Sequence, residues 1–178
     1  MSVDHEVQAK LKARIRDIPD FPIAGVVFKD ITPLLQDPET FGLSLETLAA
    51  PYRDGSIDVV VGMESRGFVF GAPIAYMLQR GFVPIRKLGK LPWETNRAEY
   101  ALEYGTNTLE IHRDAIKPGQ RVLIVDDLLA TGGTVGASIE LVEGVGGVVA
   151  GVAFLVELTF LGGRDKLVGR DVFSVICY

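Results

Sequence analysis

Apolar residues recur along the 178-residue chain in two rhythms that take turns. Val3, Val7, Leu11, Ile15 and Ile18 are spaced three or four apart, which predicts an amphipathic first helix closed by the proline-rich segment PDFPIAG. Helical spacing returns at residues 41–52, 67–80 and 135–145. Between these lie short apolar, β-branched runs at 57–61, 82–85, 122–125, 148–156 and 172–177, the composition of strands buried on both faces. Strand and helix in alternation predict an α/β domain, a mainly parallel sheet with helices on both sides and right-handed crossovers. Two stretches break the alternation. Residues 98–104 and 108–112, joined by Gly-Thr-Asn, read as a β-hairpin whose exposed composition suits a movable flap over a site. Residues 1–33 stand outside the core pattern and suit a hood; with no linker or repeat, one domain over 1–178 is expected.

The chemistry concentrates where one rhythm hands over to the other. RVLIVDDLLATGGT, from Arg121, runs from a predicted strand into Asp126 and Asp127, then into Ala130-Thr131-Gly132-Gly133-Thr134 and a helix start. Glycines let backbone approach a phosphate, first-turn amides and the two threonine hydroxyls can donate to it, and the carboxylates can accept from ribose hydroxyls or face a divalent cation. A plain capped turn uses the same residue types less completely. GxxxxGKS/T and GxGxxG are both absent, which excludes a Walker loop and a dinucleotide fingerprint. A second loop at a predicted strand end, GMESRG from Gly62, carries Ser65 and Arg66 and reads equally as a phosphate loop or a connector. Arg86, Lys87 and Lys90 form a basic cluster that is either a solvated face or an anion clamp.

Composition narrows the classes. A net charge of −5 and a pI near 5.1 argue against nucleic acid as the main partner. No apolar run approaches a membrane span, and the charged N-terminus lacks a signal-peptide core, so a cytoplasmic protein is expected. The single Cys177 reads as a small buried hydrophobe, and His5 and His112 as solvated surface residues without paired metal ligands.

The segment VDDLLATGGT resembles the phosphoribosyl-pyrophosphate motif of the type I phosphoribosyltransferases. DFPIAGVVFKDITPLL, GMESRGFVFG, IRKLGKLP, LEYG and LVELTFLGGRDKL are similar, in the same order, to motifs of that family's adenine-using branch. The resemblance implies the type I fold, a mainly parallel central sheet flanked by helices, with an N-terminal hood and a flexible hairpin flap. It implies transfer of a phosphoribosyl group to adenine with release of AMP and pyrophosphate, magnesium held mainly through substrate rather than by a protein metal site, and a homodimer. By the same resemblance Ala130 to Thr134 cradle the 5-phosphate, Asp126 and Asp127 hold the ribose, and Ser65, Arg66, Arg86, Lys87 and Lys90 meet pyrophosphate. In such enzymes the backbone of this loop can adopt a strained, sometimes cis, non-proline peptide, and whether Glu64-Ser65 does so stays open. Glu103 handles the base's proton, Val27 and Lys29 read the base edge through backbone groups, Phe28 stacks on the ring, and Tyr104 and Leu158 complete the substrate contacts. Lys29 departs from relatives, in which arginine is common, and Arg and Lys are not equivalent if the side chain takes part. A sister transferase for guanine, hypoxanthine or xanthine stays open, though GVVFKD, LEYG and Ala130 stand against it. So does a phosphoribosyl-pyrophosphate-sensing regulator, against which stands the absence of a basic face or added DNA-binding segment.

Overall fold

The structure is a computed structural model of the chain and describes residues 3–102 and 105–178. Its first helix, α1 (His5–Lys12), is capped by Asp4, whose carboxylate accepts the Glu6 N–H at 2.7 Å. The helical spacing continues to Ile18, but the helix does not. The chain turns into a strand, β1 (Arg16–Pro19), which pairs antiparallel with β2 (Val27–Asp30). Cross-strand pairing decides this: Ile18 faces Phe28, while Arg16 reaches Asp30 at 2.9 Å and Lys29 reaches Asp17 at 2.6 Å. This two-stranded ribbon stands apart from the main sheet, as a hood should.

Two helices follow, α2 (Thr32–Gln36) and α3 (Pro38–Ala49), and then the parallel core begins: β3 (Val59–Met63), α4 (Arg66–Met77) and β4 (Gly81–Lys87). An antiparallel pair, β5 (Thr95–Leu102) and β6 (Gly105–His112), is inserted before the core resumes with β7 (Arg121–Leu129), α5 (Gly133–Gly144), β8 (Val148–Glu157) and β9 (Val172–Cys177). The seven-stranded order is β5-β6-β4-β3-β7-β8-β9. Every pairing from β4 through β9 is parallel, and those of β6 are antiparallel.

Alternation along the strands feeds two cores, one on each face of the sheet. Val122, Ile124, Val152 and Phe154 join Val135, Ile139 and Val142 of α5 on one side. Leu123, Val125, Ala153 and Leu155 join Leu11, Leu45, Leu48, Phe70 and Ile74 of α1, α3 and α4 on the other.

Four expectations are corrected. β7 extends to Leu129, past the apolar run, because β8 pairs beside it as far as Leu129 opposite Glu157, so the two aspartates lie within the strand. The hairpin register sets Leu102 opposite Gly105, which places Gly105, Thr106 and Asn107 in β6 rather than in a turn. Cys177 is exposed, because the strand it ends has no neighbour on its outer side. His112 is half-buried, with Nε2 enclosed and without a hydrogen-bond partner. Among the described residues no helix is long and apolar enough to cross a membrane.

Candidate active site

β3 and β7 are neighbours, with Gly62 opposite Val125, so the loops leaving their carboxyl ends lie side by side. The approach is tight. A Cβ on Gly67, in the first turn of α4, would sit 2.9 Å from Asp126 Oδ1 and 3.0 Å from the Val125 carbonyl oxygen. Only glycine lets the GMESRG loop and the acidic pair share this corner. The Glu64–Ser65 peptide, whose isomer the resemblance left open, is cis, and Ser65 is exposed with its hydroxyl not used to cap α4.

Asp126 Oδ1 accepts the backbone N–H of Asp127 at 2.9 Å. Asp127 is 4% exposed, and its Oδ2 lies 2.9 Å from Arg66 Nε. That contact is one of charge, since no directed hydrogen bond reaches Oδ2. Burial pushes both carboxyls above the ordinary range. Asp126 is raised further by its neighbour's charge, whereas Arg66 draws Asp127 back. Two adjacent carboxylates, Asp127 buried and Asp126 half-buried, have one arginine beside them, at Asp127, and are short of positive charge.

Beyond Leu129 the chain wraps a recess of about 70 Å³ lined by Asp126, Ala130, Thr131, Gly132, Gly133 and Thr134, with Phe154 as part of its wall. Gly132 adopts φ +79° and starts α5 without a side-chain cap, leaving the first-turn amides to the recess. The predicted phosphate residues are therefore brought together with Asp126 in one concavity.

From the hood, the Phe28 ring lies 5.3 Å from the Arg66 guanidinium carbon, and Phe21 meets it edge-on at 5.2 Å. Phe28, Arg66 and Asp127 thus form a chain of contacts from hood to acidic pair. Val27 is exposed beside Phe28. Lys29 turns the other way: its ammonium pairs with Asp17 and lies 4.0 Å from the centre of the Tyr178 ring. Leu158 is half-buried just past β8, its N–H donating to the Leu129 carbonyl at 2.9 Å.

Arg86 donates from Nε to Glu64 Oε2 at 3.1 Å, and the Lys87 N–H reaches the same oxygen at 3.1 Å. Burial alone would raise the Glu64 carboxyl, but the Lys87 amide and Arg86 hold it below the usual range. Lys87 and Lys90 are exposed. The Lys90 and Leu91 amides both donate to Oε1 of Glu110, at 3.0 Å each, and Glu110 is 2% exposed. Sequence reading missed Glu110, and also Glu64 as the anchor of the basic loop. The one available signal was Arg97 opposite Glu110 in the hairpin, which needs the register to be known. Glu103 and Tyr104 lie outside the described residues.

The family model for phosphoribosyl transferase domains matches residues 35–171. The adenine phosphoribosyltransferase of Roseiflexus sp. (strain RS-1) is 60% identical over 164 residues, 92% of this chain and 95% of that protein. The crystal structure of adenine phosphoribosyltransferase from Thermoanaerobacter pseudethanolicus aligns with a TM-score of 0.92 at 57% identity, covering 96% of this chain and 99% of the other. The Saccharomyces cerevisiae enzyme, complexed with D-2,5-dideoxy-2,5-imino-altritol 1,6-bisphosphate and adenine, aligns with a TM-score of 0.91 at 40% identity, covering 97% and 99%.

Proposed function

The chain belongs to the adenine phosphoribosyltransferase family, and from that premise we propose how its residues divide the work. It is a pentosyl-transferring enzyme of purine salvage that moves the 5-phosphoribosyl group of phosphoribosyl pyrophosphate to adenine, giving AMP and pyrophosphate. The bond from C1 of the ribose to pyrophosphate breaks, and its electron pair leaves with pyrophosphate. Adenine N9 supplies the pair for the new bond to C1, and the imidazole proton of the base passes to Glu103.

The observation that carries the division of labour is the shared corner of Asp126, Asp127 and the glycine loop. Amides and hydroxyls at Ala130 to Thr134 hold the 5-phosphate. Asp126 and Asp127 accept from the ribose hydroxyls, and their negative charge stabilises the cationic ring that forms as pyrophosphate departs. Arg66, Ser65 and the loop bearing Arg86, Lys87 and Lys90 bind the leaving group. Phe28 stacks on adenine, backbone groups of Val27 and Lys29 read its amine edge, and Tyr104 and Leu158 close the slot.

Magnesium fits this donor set only in part. Asp126 lines the recess with Asp127 adjacent in the strand, but among the described residues no group of three or more His, Cys, Asp or Glu could cage an ion. As the resemblance implies, the ion would ride on substrate oxygens with Asp126 and Asp127 nearby and would neutralise charge on the leaving group. A cytoplasmic homodimer is the proposed setting.

Nucleotide formation with magnesium, phosphoribosyl pyrophosphate and each nucleobase in turn tests the reading. Adenine should be strongly preferred, because fixed backbone donors and acceptors meet like partners on hypoxanthine or guanine, a mismatch that reaches roughly 10⁴-fold in comparable sites. Comparable efficiency on either of those bases would move the protein to a sister branch, and no turnover with any base would make it a sensor.

A further inference from the structure

The stretch from Glu157, the last residue of β8, to Arg164 carries a part of the site at each end. At its start, the Leu158 N–H is tied to Leu129 at the threshold of the glycine loop. The backbone N–H and Oγ1 of Thr159 both donate to the Tyr178 carbonyl, at 3.1 and 2.5 Å, and the Tyr178 N–H donates to the Glu157 carbonyl at 3.0 Å. The Tyr178 ring in turn holds the hood, with Lys29 Nζ 4.0 Å and Lys12 Nζ 4.2 Å from its centre. Lys29 is the residue beside Phe28 in β2, so fixing one side chain fixes the strand that presents the other.

The far end of the segment packs on the phosphate loop. A Cβ on Gly163 would overlap the Ala130 carbonyl oxygen, and one on Gly132 would lie 2.7 Å from the Gly163 carbonyl oxygen. Arg164 locks this end. Its Nε and Nη2 donate to the two carboxylate oxygens of Glu157 at 2.8 and 2.5 Å, and Nη1 donates to the Val172 carbonyl at 3.1 Å. Glu157 is 3% exposed, so the bidentate pair is shielded from water on one side.

We propose that residues 157–164 form a strut that sets two subsites independently. Through Thr159 and Tyr178 it positions the hood and Phe28 over the base. Through Gly163 and Arg164 it positions the glycine loop under the 5-phosphate. Tyr178 and Arg164 are positioning residues, acting through Phe28 and through the loop. The proposal rests on the assignment of those two subsites above.

Steady-state kinetics on the full chain test it by crossover. Tyr178→Ala keeps the three hydrogen bonds made by the Tyr178 backbone, one of them from the Thr159 hydroxyl, and removes only the ring. It should raise KM for adenine roughly tenfold and leave KM for phosphoribosyl pyrophosphate within about twofold, the scale on which small misplacements act. Tyr178→Phe, which keeps the ring, should restore the adenine KM. Arg164→Gln should give the opposite pattern. If the lone buried Glu157 charge prevents folding, Glu157→Gln with Arg164→Gln removes it and serves in its place. Both constants moving together in either variant, or neither moving beyond twofold, would overturn the strut. A parent enzyme inactive on adenine would instead fail the functional reading, so the two failures are distinguishable.

Discussion

Asp126 and Asp127 show most plainly how a single position trades stability against function. Their folded-state carboxyls are raised by burial, and that of Asp126 also by its neighbour, so the folded chain binds these protons more tightly than the unfolded chain does. The stability this contributes is fully present below the ordinary value of 3.8 and is lost as pH rises through the folded values. At neutral pH the charge is a cost. Asp126→Asn keeps an oxygen for the Asp127 amide and removes that cost, so its Tm at pH 7 should exceed the parent's, by about 2–4 °C per kcal/mol relieved. The gain should shrink toward zero in scans below the ordinary carboxylate range. The double variant Asp126→Asn with Asp127→Asn should lose two or more decades of turnover, roughly the size of such electrostatic terms, while remaining folded by circular dichroism. Turnover within about threefold of the parent would reject the role assigned to the pair. Glu103→Gln should cut the rate by roughly 10²–10⁴-fold and leave phosphoribosyl pyrophosphate affinity unchanged, read by titration calorimetry. The acidic pair could be singled out from sequence because its signal, two carboxylates before a glycine-rich turn, lies in adjacent residues. Glu110 and Glu157 were not: their roles depend on partners brought close only by folding, 20 residues away in chain for the Lys90 amide, and for Glu157 on strand pairing with β9.

At the scale of elements, local pattern located the strands and helices of the core but not their ends. β7 outran its apolar run because β8 lay beside it, and α1 stopped short of its pattern because Ile18 pairs with Phe28 in the hood ribbon while Ile15 packs on the core. Pairing across space overrides propensity where the two compete. The hairpin and the basic loop behave as one unit through Glu110, which fills the Lys90 and Leu91 amides from β6. Glu110→Ala leaves the Leu91 amide without an acceptor and the Lys90 amide with only the Lys87 carbonyl at 3.2 Å, at a cost of about 1–3 kcal/mol. Hydrogen exchange should show the Leu91 amide protected in the parent and fast in the variant; equal protection would mean the loop is held some other way. Lys29→Arg should leave the preference for adenine intact, because the Lys29 side chain is committed to Asp17 and Tyr178, away from Phe28. Base competition assays on the variant check this, and a loss of selectivity would place the side chain in the slot after all.

For the whole molecule, alternating strand and helix signals implied a parallel sheet, and the sheet is there. The order of its strands was not legible, because nothing local distinguishes β3 at the centre from β9 at the edge; that choice emerges from which helices cover which face. Assembly is equally a property of the whole. Light scattering at micromolar concentration should return twice the chain mass of 19.3 kDa, and an active monomer would refute the homodimer.

The exposed thiol of Cys177 opens a practical route to these questions. It is the chain's only cysteine and stands one residue from Tyr178, where hood and core meet. Partial cover by protein and the nearby Glu157 charge push the thiol up, so the reactive thiolate forms mainly in alkaline solution. A fluorophore attached there would need no engineered cysteine and would have a single attachment point. Its signal would follow the hood as each substrate arrives.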